Sequence, residues 1–256
     1  MAIRISVELS HICPLEALTA HAAAIEAQGF YRVWVPDTVV SPWEAWVAVS
    51  VIMHTTRRVQ IGLGVTNPYT RHPVVMAQMA ATIHHLSHGR LTLSLGKGIA
   101  RFLEKAGIRQ YETGVEECVA ILRGLLAGER TTLTGQAFQI DAMLLRTLPL
   151  PTPVPIYLAA IGPGGWANAI RLADGIATVW SDTLAETRRH WMAERTLPTA
   201  VLIPFAQGQA DFFSRPVRSL TELQQRAAAL EAAGFDEVIV AYADLADLEA
   251  AAQLLG

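Results

Sequence analysis

Cysteine is scarce in this chain: two in 256 residues, Cys13 and Cys118, far apart and without metal-ligand spacing. That excludes a disulfide framework and a zinc-type motif, makes neither thiol a nucleophile by spacing, and points to a reduced, cytoplasmic protein. No apolar run reaches the roughly 18 residues of a membrane span, and MAIRISVELS lacks the basic and apolar regions of a signal peptide. Charge is also sparse, at 17% of residues with a net value of −3. Lysine and arginine are scattered, so no basic stripe suits nucleic acid or an anionic membrane, and a small molecule is the expected partner. With 52% hydrophobic residues there is ample material for a core and little for long disordered tails.

What the chain does have is repetition of short β-rich runs. IRISVEL (3–9), YRVWVP (31–36), VQIGLGV (59–65), LTLSLG (91–96), PIYLAA (155–160), IATVW (176–180), AVLIPF (200–205) and EVIVAY (237–242) alternate with segments of helical period. Leu15, Leu18, Ala22 and Ile25 mark one helical face, and Met76, Met79, Ile83 and Leu86 another. Ser41 with Glu44, Thr113 with Glu116 and Ser219 with Glu222 have the spacing of helix-start capping boxes. AIEAQGFYRVWVP (24–36) and ALEAAGFDEVIVA (229–241) repeat a helix end, a glycine stop, a phenylalanine and a strand in register, one structural unit used twice. Eight strand–helix units in a chain near the roughly 250 residues of such a barrel predict a single (β/α)8 TIM-barrel domain over 1–256.

The alternative is an open, doubly wound sheet. Central strands there lie under helices on both faces and should be apolar throughout. These strands alternate instead. Ile3, Ile5 and Val7 oppose Arg4, Ser6 and Glu8; Leu91, Leu93 and Leu95 oppose Thr92, Ser94 and Gly96. In the third run Val59, Ile61, Leu63 and Val65 form the outer set and Gln60, Gly62, Gly64 and Thr66 the inner. One polar or small face per strand favours closure, with a hollow at the strand C-termini where barrel enzymes place their sites.

Glu8 ends the first strand on the inner face, where a partly apolar mouth would raise its pKa and suit it to donate a proton. The structural alternative, pairing with Arg4 on the same strand, would have to span about 13 Å. Asp37 follows the second strand at the same rim; an Asx turn or a helix cap explains it equally well. Gly96-Lys97-Gly98 leaves backbone free to lie against a flat ring or a phosphate, although a simple turn would read the same. AAIGPGG (159–165) leads into a helix and could present N–H groups to an anion, without the Walker lysine or the Rossmann glycine spacing. HHLSH (84–88) offers two histidines four apart, but lacks the glutamate of a zinc helix and ends its helix away from the strand C-termini, so solvated histidines are expected. Trp34, Trp180 and Phe205 either line a pocket or pack in the core.

With GLGVTNPYTRHP (62–73), LSHGRLTLSLGKG (86–98), PVPIYLAAIGPGG (153–165) and RLADG (171–175) in this order, the chain resembles the bacterial luciferase-like superfamily. Within it, the sequence is similar to the branch that uses the deazaflavin coenzyme F420, typified by methylenetetrahydromethanopterin reductase. The match runs over about residues 1–180 and resumes at 219–256. It implies a (β/α)8 barrel, usually a homodimer, with a flavin-like ring at the strand C-termini. Gly64 and Val65 match the family's bulge, often a cis peptide, against which the ring leans; a bulge would shift the register at Thr66. Thr66 and Asn67 match ring and pocket contacts, Gly96, Lys97 and Gly98 the ring-side loop, and Ala160, Ile161, Gly162, Pro163 and Gly164 the loop for the phosphate tail. Glu8 and Asp37 match acidic residues that assist proton transfer near the substrate.

Two departures qualify what the resemblance implies. Thr38 stands where many relatives carry a histidine, and residues 181–218 are brief where relatives carry a long insertion over the substrate, so that lid is expected to be missing. The implied function is an F420-dependent oxidoreductase passing hydride to a small organic substrate, with Glu8 assisting by proton transfer. An FMN-dependent monooxygenase and a non-catalytic flavin-binding barrel are the alternatives.

Overall fold

In this computed structural model residues 2–9, 13–146, 149–193, 195–208 and 215–255 are described. The strands in chain order are β1 (Arg4–Glu8), β2 (Arg32–Val35), β3 (Gln60–Thr66), β4 (Leu91–Leu95), β5 (Thr131–Thr134), β6 (Gln139–Met143), β7 (Ile156–Ala159), β8 (Gly175–Val179), β9 (Thr199–Phe205) and β10 (Glu237–Tyr242). The α-helices are α1 (Leu18–Gln28), α2 (Ala45–Thr55), α3 (Pro73–Leu86), α4 (Ala100–Lys105), α5 (Gly114–Leu126), α6 (Pro163–Leu172), α7 (Leu184–Trp191), α8 (Leu220–Ala232) and α9 (Leu245–Ala251). Eight of the strands close a parallel barrel in the order β1-β10-β9-β8-β7-β4-β3-β2. These are the eight runs that the sequence marks out. Strands β5 and β6 form a separate antiparallel pair, which the sequence reading did not anticipate.

Alternation builds the two cores. Ile5, Val7, Ile61, Leu63, Leu91, Leu93 and Leu95 point outward and pack with helix residues such as Ile25, Ile52 and Met76 in the main cluster. A second cluster of Trp34, Tyr157, Ala200 and Ile239 fills the lumen. At its floor Arg32 donates to Glu237 at 2.6 Å, and Trp34 Nε1 donates to the other oxygen of Glu237 at 2.8 Å. The Trp34 ring lies so close to β3 that a β-carbon at Gly62 would come within 2.3 Å of it. Both of these charges are nearly fully buried, and pairing is what makes that tolerable.

The repeated unit is visible in the backbone. Gly29 and Gly234 take φ of 92° and 78° where α1 and α8 end, and Phe30 and Phe235 are both buried behind them. Of the three expected caps, Ser219 accepts from Glu222 N as anticipated. The other two differ. Glu44 rather than Ser41 caps α2, its side chain accepting from Val47 N, and Thr113 donates to Glu117 instead of capping α5. Glu117 also accepts from the N–H groups of Gln136, Ala137 and Phe138 and so ties the β5–β6 turn to α5. Arg90, from the LSHGR segment, is buried and donates to Ser87 O, Thr56 Oγ1, Val59 O, Met53 O and Thr56 O, locking α2 and β3 to the start of β4.

Candidate active site

Glu8 closes β1 on the inward face, flanked in register by Trp34 and Ala241. Part of its side chain reaches solvent, yet burial of the carboxyl pushes its pKa up to about 7. No hydrogen bond or ion pair to it is formed among the described residues. A carboxyl that is half protonated near neutrality can give and take a proton without a large energetic penalty.

Asp37 is placed differently. It follows β2 at the same end of the barrel, but its Oδ2 accepts from Thr66 Oγ1 at 2.6 Å and from Arg71 Nη1 at 2.7 Å. It makes neither an Asx turn nor a cap; it is buried and committed to an ion pair. Arg71, which sequence reasoning passed over, also reaches Glu44.

Strand β3 carries the bulge. Its register with β4 shifts between Leu63 and Thr66, and the Gly64–Val65 peptide is cis. The shift changes which residues face the mouth. Val65, assigned to the outer set by simple alternation, is 38% exposed and its Cγ1 lies against Gly96. Thr66, assigned to the inner set, is fully buried, with its hydroxyl turned to Asp37. Its carbonyl accepts from Gly96 N at 2.9 Å, which joins the bulge to the exit of β4.

The rest of GLGVTNPYTRHP is pinned at each polar residue. Asn67 is buried and its Oδ1 accepts from the N–H groups of Tyr69 and Thr70. Tyr69 donates to Tyr111 O at 2.6 Å. The His72 side chain caps α3 by accepting from Val74 N, and its ring meets Phe138 of the β5–β6 turn edge to face. A loop held this way is preorganised. Opposite it, Lys97 and Gly98 are exposed, and Lys97 O accepts from Gln110.

After β7, Ala160 is buried and its carbonyl accepts from Thr178 Oγ1 at 2.6 Å. Ile161 is 76% exposed, and Gly162, Pro163 and Gly164 lie open to solvent at the start of α6. Of the N–H groups expected at 162–165, Pro163 has none and that of Gly165 donates to Gly162 O at 3.0 Å, so the exposed helix start presents the Gly164 N–H to an anion.

The expectation of solvated histidines in HHLSH holds only in part. His84 is not solvated: it is buried, with Nε2 at 2.9 Å from Thr152 O, while His85 and His88 are exposed. Of the two readings open for the aromatics, core packing holds for Phe205 and Trp180, both in or against the outer core, with Arg226 over the Trp180 ring. Trp34 is lumen packing. Among the described residues no group of three or more His, Cys, Asp or Glu could hold a metal ion, both cysteines are free and buried, and no helix is long and apolar enough to cross a membrane. The brief 181–218 segment holds α7, β9 and a bridge from Val217 to Phe205; Glu194 and 209–214 lie outside the described residues.

Residues 1–198 match the family model described as luciferase-like monooxygenase. The chain belongs to that family. Among the proteins it resembles is the F420-dependent hydroxymycolic acid dehydrogenase of Mycobacterium tuberculosis, 34% identical over 62% of this chain and 48% of the relative. Another is the 5,10-methylenetetrahydromethanopterin reductase of Methanolobus tindarius, 32% identical over 64% of this chain and 50% of the relative. The chain therefore spans about half the length of the curated relatives it matches. A solved F420-dependent secondary alcohol dehydrogenase, in complex with an F420-acetone adduct, superposes with a TM-score of 0.83 at 20% identity, over 98% of this chain and 97% of that one. At that identity the likeness concerns the luciferase-like barrel itself.

Proposed function

We propose that this luciferase-like barrel is a coenzyme F420-dependent oxidoreductase acting on a small organic carbonyl compound or the corresponding alcohol. The observation that carries the reading is Glu8, a carboxyl poised near pH 7 at the same barrel end as the Gly64–Val65 bulge. Relatives named for F420 chemistry support it from outside the chain.

The residues present suit a flat ring with an anionic tail. Val65 offers an exposed apolar face between buried Gly64 and Thr66, and the wall beside it is low, built from Gly96 and the methyl of Ala159. Asn67, Lys97 and Gly98 border that face, and Ala160 to Gly164 would receive the tail at the start of α6. Reduced F420, when bound, supplies a hydride. The chain's part is to hold substrate and ring in near-attack geometry and to keep a proton on the Glu8 carboxyl. With a hydride delivered to the carbonyl carbon, Glu8 would give its proton to the oxygen that takes the π electron pair, and solvent would restore it. Asp37, with Oδ2 engaged by two donors, serves as support.

Titration of the purified protein with F420 and separately with FMN, followed by fluorescence, tests the cofactor. Binding of F420 with turnover of a carbonyl panel is the expected result. Preference for FMN would move the reading to monooxygenase chemistry, and binding of neither would leave a non-catalytic barrel. Glu8→Gln should retain F420 binding and lower turnover about a hundredfold or more; unchanged turnover would remove Glu8 from the mechanism. A homodimer is proposed as well, from the family resemblance, and is decided by analytical ultracentrifugation.

A further inference from the structure

We infer that Arg71 is a positioning residue for the cradle, acting through Asp37 and Thr66 on the Gly64–Val65 bulge and on Gly96. The inference rests on the proposed function insofar as the cradle holds a ring. Its geometric part stands independently.

The connection is continuous. Arg71 Nη1 and Thr66 Oγ1 donate to the same oxygen, Asp37 Oδ2, at 2.7 and 2.6 Å. Thr66 commits its one polar side-chain atom to Asp37, and its carbonyl accepts from Gly96 N at 2.9 Å. One residue thus links the largely buried Asp37–Arg71 ion pair to Val65, its neighbour in the chain, and to Gly96 across the gap between β3 and β4. Charge-assisted hydrogen bonds of this length are among the stronger ones in proteins. With the Asp37 side chain only 7% exposed and that of Arg71 19% exposed, screening by solvent is limited.

Arg71 has a second arm, its Nη2 contact with Glu44. Glu44 caps α2 by accepting from Val47 N at 2.8 Å. The planar guanidinium therefore spans two carboxylates belonging to the segment between β2 and α2, from a loop that leaves β3. A lysine ammonium at position 71 would keep the charge but lose the fork that reaches both. The two arms make different predictions: the Asp37 arm leads to the bulge, and the Glu44 arm leads only to a helix end.

The experiment compares Arg71→Lys, Thr66→Val and Glu44→Gln with the unaltered protein. Amide hydrogen exchange is read over residues 60–68 and at Gly96, together with F420 and FMN affinity by fluorescence and melting temperature. Arg71→Lys and Thr66→Val should each accelerate exchange in that segment and at Gly96 and weaken ring binding about tenfold, the equivalent of about 1.4 kcal/mol. Their effects should be non-additive when combined, because both act through one carboxylate oxygen. Glu44→Gln should leave exchange and binding as they were. The inference is overturned if Glu44→Gln reproduces the effect of Arg71→Lys, or if Arg71→Lys lowers only the melting temperature. Should the unaltered protein bind neither ring, the functional reading fails and exchange alone decides the positioning role of Arg71.

Discussion

Val65 Cγ1 lies 2.6 Å from the point where a β-carbon on Gly96 would stand; β3 and β4 meet at the mouth only because position 96 has no side chain. Gly96→Ala must therefore displace Val65 or press on Ala159, whose Cβ is 3.1 Å from the same point. Overpacking of this kind costs about 1–3 kcal/mol. Because the displaced group is the exposed apolar face of the bulge, ring binding should weaken as well, by about tenfold. Urea unfolding and a fluorescence titration check the two effects, and a variant equal to the parent in both would show that the contact is slack.

Glu8 predicts a pH-dependent cost. Its pKa rises from 4.5 to about 7 on folding, so the folded state holds the proton more tightly than the unfolded chain. The parent protein then loses stability as pH rises from 4.5 to about 7 and reaches a plateau above that. Glu8→Gln has no charge to desolvate. It should match the parent near pH 4 and exceed it by about 1–3 kcal/mol at pH 8, as read from urea unfolding at the two values. A difference independent of pH would mean that the carboxyl is not held in an apolar setting.

His84 has the opposite sign. Burial lowers its pKa below 6.5, opposed in part by the hydrogen bond to the Thr152 carbonyl. The folded state prefers the neutral ring, so its contribution is intact above about pH 6.5 and is lost as pH falls below it. His84→Gln, which keeps a donor for Thr152, should narrow the gap between melting temperatures measured at pH 7.5 and 5.5. An unchanged gap would assign the acid sensitivity to other groups.

Most of the barrel is legible in the sequence because strand and helix periods are local. Alternation in β1, β3 and β4 separates the outward cluster from the lumen with no knowledge of partners, and the glycine stops at 29 and 234 mark where helices turn back into strands. The β5–β6 pair is not legible, since TTLT and QIDAM are short, half-exposed and polar on one side. A signal for its anchor was present: Glu117 falls on the buried stripe of α5 with Gly114 and Ile121, an odd place for a carboxylate unless it has donors to meet. At the candidate site alternation fails beyond Leu63, because a bulge adds a residue and exchanges the facing of Val65 and Thr66. The commitment of Asp37 to Arg71 spans 34 positions, a distance over which no local pattern operates.

The indole of Trp34 reaches from Glu237 on β10 across to β3 and is 2% exposed. With the Arg32–Glu237 pair and Tyr157 it fills the lower part of the lumen. Glu8 is the neighbour of Trp34 in register, so a change to the indole would be felt at the carboxyl as well as in the packing below it.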